Sequence, residues 1–283
     1  MTQPNGDYLF RANMFGGDAE RERARLRGNE ALWDSGSQSL FTELGLGAGW
    51  RCLEIGAGGG SLVKWMADQG AAVTAVDIDT RFIEGLGSGT VDVRCLDIRT
   101  DDIPPGKYDL VHERLVLQHL SDREQILNRL TATLSPGGWI VLEEFDWNYF
   151  AWETTHPALN ATTTAILNYM EEAGVAINYG RRVLPALHQV GLAVVGGRGS
   201  VQVIDGTCLG FDFFELTIRS MLQPAIDIGA VHEDDANAAI ARLDDKDLRL
   251  YTPMMVAGIG RQGMTGWLNV SETDDGAHPA LET

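Results

Sequence analysis

Four glycines crowd the stretch Leu53–Trp65, LEIGAGGGSLVKW, at Gly56, Gly58, Gly59 and Gly60. Glycines packed between an apolar run and a helix-like one leave bare backbone at a helix N-terminus, where a ligand can come close. Acids follow, Asp77 in VTAVDID and Asp97 in CLDI, and a carboxylate can accept two hydroxyls as charge-assisted hydrogen bonds. Farther on stand His112, His119 and the pair Glu143-Glu144. These side chains can take a proton from an acceptor that must become a nucleophile.

To bring these residues together, the chain needs strands that end where they stand. WRCLEIG reads as a buried strand, SLVKWMADQG as a helix stopped by Gly70, and AAVTAVDID, VDVRCLDI and KYDLVHERL as three further strands. Ser121 with Glu124 has the form of a capping box, opening a helix through about Leu134. SPGG then closes that helix and WIVLEEF makes a fifth strand. Strands alternating with helices over 49–146 predict an α/β fold with a doubly wound, mostly parallel sheet. Ligands bind such sheets at the carboxyl ends of the strands, where the strand order reverses.

Around this core, residues 1–48 read as an N-terminal helical cap, with a helix over 18–46. Residues 147–261 hold the remainder of the sheet: helices near 157–173 and 180–190, a strand near 192–204 and a last strand near 251–261. The segments 147–180 and 207–250 are too long for ordinary connections and are expected to form helical lid insertions. The end, 271–283, has the composition of a disordered tail.

The chain has 283 residues, 44% of them hydrophobic, and a formal net charge of −18. A nucleic-acid partner needs a basic face, and the one basic run, RERARLR, is interleaved with Glu20 and Glu22. No run of about 18 apolar residues is present to span a membrane, and the first residues lack the pattern of a signal peptide. Cys52, Cys95 and Cys208 are odd in number and without CxxC spacing. That suits a reducing cytoplasm and argues against a disulfide framework or a zinc site. A small-molecule partner is the expectation; the oligomeric state stays open.

LEIGAGGGS departs from the dinucleotide fingerprint GxGxxG at its third glycine position, which is Ser61. The stretch resembles instead the first motif of class I S-adenosylmethionine-dependent methyltransferases, of the bacterial small-molecule branch. VTAVDID, CLDI, YDLVHERLVLQHL and LSPGGWIVLEE follow in the order of that family, so the resemblance covers 45–146. It implies a seven-stranded sheet and S-adenosyl-L-methionine as cofactor. It also implies a cofactor set of Glu54, Gly56, Ala57, Gly58, Gly60, Asp77, Ile78, Asp97, Ile98 and the backbone of His112. Asp77 would take the ribose hydroxyls, with Asp97 and Ile98 at the adenine.

The implied activity is methyl transfer to a small organic acceptor, expected at oxygen, with nitrogen and carbon open. His119, His112 and Glu144 are the candidate catalytic groups, although strand alternation aims only one of Glu143 and Glu144 toward the site. FDWNYFAW supplies an aromatic wall for an apolar acceptor: Phe145, Trp147 and Tyr149 are candidates, joined by Phe214 and, from above, by Tyr8 and Phe15. No metal is expected. The rivals are a protein that binds S-adenosylmethionine without transferring methyl, and an NAD-type oxidoreductase. Asp79 reads as an exposed or capping residue and Asp109 as a structural hydrogen-bond partner at a strand entrance.

Overall fold

A computed structural model describes residues 18–87, 89–153 and 156–263. Tyr8, Phe15 and the 271–283 tail lie outside the described residues. The strands are β1 (Arg51–Ile55), β2 (Ala72–Asp77), β3 (Val91–Cys95), β4 (Tyr108–Arg114), β5 (Leu134–Asp146), β6 (Ala151–Trp152), β7 (Ala193–Ser200), β8 (Val203–Asp205), β9 (Arg249–Tyr251) and β10 (Met254–Arg261). The helices are α1 (Ala19–Glu43), α2 (Ser61–Asp68), α3 (Arg123–Thr131), α4 (Pro157–Glu172), α5 (Val183–Gln189), α6 (Phe211–Asp227) and α7 (Glu233–Leu243). A seven-stranded sheet runs β3-β2-β1-β4-β5-β10-β7. The first five strands are parallel, and β10 is antiparallel to both its neighbours. The strand order therefore reverses between β1 and β4, which opens a crevice above their carboxyl ends.

Alternation along the strands gives the sheet two apolar faces. Cys52, Leu110 and Val141 bury against Leu40 and Phe41 of α1 and Met66 of α2. Leu53, Ile55, Val111 and Leu142 bury against Ile126 and Leu130 of α3 and Leu187 of α5. A third cluster unites α4, α6 and α7 with Phe145 and Trp152. In it Trp147 lies edge-on to Phe214 at 6.1 Å and Phe145 edge-on to Phe213 at 6.0 Å.

Three local readings are corrected. The Ser121–Glu124 capping box does not form: α3 starts at Arg123, and its N-cap, Asp122, makes no side-chain cap bond. SPGG does not close a helix but belongs to β5, because the end of β10 reaches it (Gly137 N–H to Gln262 O, 3.1 Å; Gln262 N–H to Gly138 O, 2.9 Å). The segments read as single strands over 192–204 and 251–261 each divide. Their pieces β8 and β9 join β6 in a separate three-stranded sheet.

Candidate active site

The glycine turn follows β1 directly. Gly56, Gly58 and Gly60 all have positive φ (69°, 54° and 83°), a region that side chains other than glycine avoid. Space forbids a side chain as well: a Cβ on Gly56 would lie 2.3 Å from Val116 Cγ2, and one on Gly60 2.6 Å from Leu86 Cδ1. Gly56 N–H and Ala57 N–H both bond to Val76 O, which pins the turn to β2. Asp77 then receives Gly58 N–H at 2.8 Å and Asp79 N–H at 2.9 Å. Burial nevertheless raises its pKa, against those two bonds.

One cavity covers the crevice. Its lining includes Glu54, Gly56, Ala57, Gly58, Asp77, Ile78, Asp97 and Ile98, together with Leu115, His119, Phe145, Trp147, Met170 and Phe213. Gly60 and His112 do not line it, and neither does Glu144. Of the aromatic candidates, Tyr149 is 48% exposed, and Phe214 is buried behind Trp147 and Phe150. The Asp97 carboxylate is held by Arg99 at 2.6 Å. Asp79 caps the turn at Thr80–Phe82 and also lines the cavity. Asp109 accepts Arg51 N–H at 2.9 Å at the start of β1.

The cavity has a wall that sequence reasoning missed. Glu22, Arg25, Leu26, Asn29 and Glu30 recur at helical spacing and put one face of α1 over the site. Arg23 bonds Gly59 O at 2.9 Å, and Arg25 bridges from Glu22 to the ring of Phe213. Asn29 Oδ1 and Glu30 Oε1 are buried and accept no hydrogen bond. The signal was present as the i, i+3, i+4 pattern in RERARLRGNE. A polar stripe facing a cavity is spelled like one facing water.

Register explains the charges beneath. Glu54 pairs across from His112, and Arg114 from Glu143, so Glu54, His112 and Glu143 share the α1 face of the sheet. His112 Nδ1 lies 2.7 Å from Glu54 and Nε2 3.1 Å from Glu143. Burial alone would lower the imidazole pKa, but the two carboxylates outweigh it and hold His112 charged, at about 10. The same cation brings Glu143 below its ordinary range in spite of burial. Ser37 of α1 bonds Glu143 at 2.5 Å, and Arg114 ties in Asp34 at 2.8 Å.

Alternation sends Glu113 and Glu144 to the other face, where burial raises both. Neither Glu143 nor Glu144 faces the cavity, so the expectation that one of them does is corrected. His119 does line it, in the turn Leu117–His119. Burial, with the charges of Arg25 and Arg123, pushes its pKa down to about 3 and keeps the ring neutral.

A seven-stranded α/β sheet of this order with β10 antiparallel, a glycine turn after its first strand and a carboxylate at the end of the second has the fold of the class I methyltransferase type. The family model of the methyltransferase domain matches residues 20–179, and the chain belongs to that family. It is 31% identical over 153 residues to methyltransferase str2 of Strobilurus tenacellus, covering 52% of this chain and 54% of that one. It is 32% identical over 110 residues to the ubiquinone biosynthesis O-methyltransferase of Chromobacterium violaceum, covering 36% and 47%. The chain thus spans about half the length of these curated relatives. In fold it is similar to a Bacillus halodurans C-125 protein provisionally assigned as a methyltransferase, with TM-score 0.54 at 14% identity over 80% of this chain and 98% of that one. Among the described residues no helix is long and apolar enough to cross a membrane.

Proposed function

We propose that the protein transfers methyl from S-adenosyl-L-methionine to the oxygen of a small, largely apolar acceptor. The observation that carries this reading is the single cavity joining Asp77 and the glycine turn to the aromatic wall and His119. The cofactor supplies an electrophilic methyl on a sulfonium. The residues present suit it. Asp77 is a half-buried carboxylate fixed by two backbone N–H bonds and fit for a pair of ribose hydroxyls. Ile78 and Ile98 give apolar contact beside it, and among the described residues no lysine lines the cavity. Asn29 and Glu30 offer buried oxygens for the donors of the amino-acid end. Glu54 lies at that end with His112 behind it, so His112 acts as a positioning residue and not as a base.

Phe145, Trp147 and Phe213 enclose the acceptor and orient it for in-line attack, which is the larger part of such catalysis. His119 Nε2 faces the Gln118 amide nitrogen at 3.3 Å, so the neutral ring carries its proton on Nδ1 and donates a hydrogen bond to the acceptor oxygen. It does not remove the proton outright: with the imidazole at about 3 and a phenol near ~10, full transfer is uphill by about 10 kcal/mol. The test is a labelled-methyl assay over phenols, alcohols, amines and carboxylates, with the methylated atom located by mass spectrometry. Transfer to a hydroxyl supports the proposal. Label on nitrogen or carbon overturns the choice of atom, and cofactor binding without transfer to any acceptor favours a binding protein of the same fold.

A further inference from the structure

Glu113 and Glu144 are buried carboxyls that the proposed chemistry leaves unused. Each spends one oxygen on the segment that turns from β4 into the cavity wall. Glu113 Oε2 accepts Val116 N–H at 3.0 Å and Leu117 N–H at 3.3 Å. Glu144 Oε1 accepts Gln118 N–H at 2.8 Å. The remaining oxygens, Glu113 Oε1 and Glu144 Oε2, are buried and have no hydrogen-bond partner, and since Glu113 pairs across from Leu142, the fully buried Glu144 lies on the same face of the neighbouring strand. Ionised carboxylates only accept, so two buried neighbours would keep both orphaned oxygens and repel each other, whereas a proton on one supplies a donor to the other.

We infer that Glu113 and Glu144 share one proton, and that this acid–carboxylate pair is a positioning device for the 115–119 segment of the cavity wall. That segment needs holding. Leu115 has φ 60°, a left-handed conformation uncommon for leucine, and Val116, Gln118 and His119 line the cavity on either side of Leu117.

The surroundings favour one proton over none. From β4 itself the His112 cation acts on Glu113, and Arg123 of α3 acts on Glu144. Both favour ionisation, and burial outweighs both. Tyr179 packs on the same side with its phenol raised by burial, hence neutral, and Glu124 of α3 adds negative charge. Loss of the shared proton in alkali leaves two buried carboxylates facing each other, and the 115–119 segment loses its anchor.

The consequence for ligand binding rests on the proposal that this cavity holds the cofactor; the shared proton does not. Infrared titration of the full chain tests the proton directly. A protonated carboxyl band should be present at neutral pH, disappear in alkali, and be missing in Glu144→Gln, whose amide donates the same hydrogen bond permanently. Calorimetry with S-adenosylhomocysteine tests the positioning. Wild-type affinity should fall about tenfold between neutral pH and the alkaline pH at which the band is lost, equal to one pKa unit of coupling, while Glu144→Gln stays flat over that range. Should that variant fail to fold, Glu113→Gln makes the same replacement from the other side.

A wild-type protein without the band at pH 7 overturns the shared proton. A glutamine variant that keeps the alkaline fall overturns the positioning role. Binding of no S-adenosylhomocysteine at any pH would instead sink the cofactor reading and the positioning role with it, with the band still deciding the proton.

Discussion

Asp77 and His119 mark the two ends of the proposed chemistry, and each makes a different demand on a mutant. Asp77 also holds the turn together through Gly58 N–H and Asp79 N–H, so removing the side chain would confuse ligand loss with collapse. Asp77→Asn keeps an acceptor for the backbone and withdraws the charge. Hydrogen bonds to a charged group are worth about 1.5–3 kcal/mol, so affinity for S-adenosylhomocysteine should fall about tenfold or more in calorimetry. Unchanged affinity in the folded variant would end the assignment of Asp77 to the ribose. His119 predicts a shape more than a size. With its pKa pushed down to about 3 by burial, it should contribute no ionisation to kcat/KM between about pH 5 and 8. His119→Gln should therefore lower turnover while leaving the pH profile unchanged. A limb near its unperturbed pKa that vanishes in the mutant would make His119 a titrating base after all.

At the scale of elements, α1 is the piece whose importance exceeds its sequence signal. It crosses α6 at Gly28, where a Cβ would stand 2.6 Å from Phe213 N, while Leu26 and Arg23 rest on the glycine turn. Gly to Ala inside a helix ordinarily stabilises by roughly 0.5–1 kcal/mol. Here the backbone contact reverses the sign: Gly28→Ala should lower the melting temperature and weaken cofactor binding together, because pushing α1 off α6 lifts it from the turn. A rise in melting temperature with unchanged affinity would show that α1 does not brace the site.

Trp147, between Phe145 and Phe214, gives the complementary case. Trp147→Ala should raise acceptor KM and spare cofactor affinity, whereas a wall that only pads the sheet edge would give lost stability with selectivity intact. The main strands and helices were legible because burial on both faces or one face imposes a period that residues must obey. The three-stranded sheet was not, since pieces such as Ala151–Trp152 are too short to show a period. The placement of Glu143 and Glu144 needed the register between β4 and β5, which no single strand contains.

Across the whole molecule, the charges buried in the sheet make stability depend on alkali in a way that can be assigned. His112 has a folded pKa of about 10 against about 6.5 unfolded. Between those values the folded state binds the proton and the unfolded chain does not. The stabilisation is complete below the unfolded value and is lost as pH rises through the folded one. Glu113, raised by burial to about 7, adds a penalty that grows from about pH 4 to about pH 7, and Glu144, raised further by burial, continues it in alkali, since the unfolded carboxyls ionise first. Urea unfolding from pH 6 to 10 should accordingly show a steady decline. His112→Leu separates the two contributions. It leaves Glu54 and Glu143 buried with no cation between them, and stripping one member from a buried ionic group costs roughly 3–5 kcal/mol. The variant should therefore be much weaker at pH 7, yet flatter above it, because the proton whose loss causes most of the alkaline decline is gone. A variant that keeps the wild-type slope from pH 7 to 10 would show that His112 is not the cation holding Glu54 and Glu143, and that the sheet's central charges are balanced elsewhere.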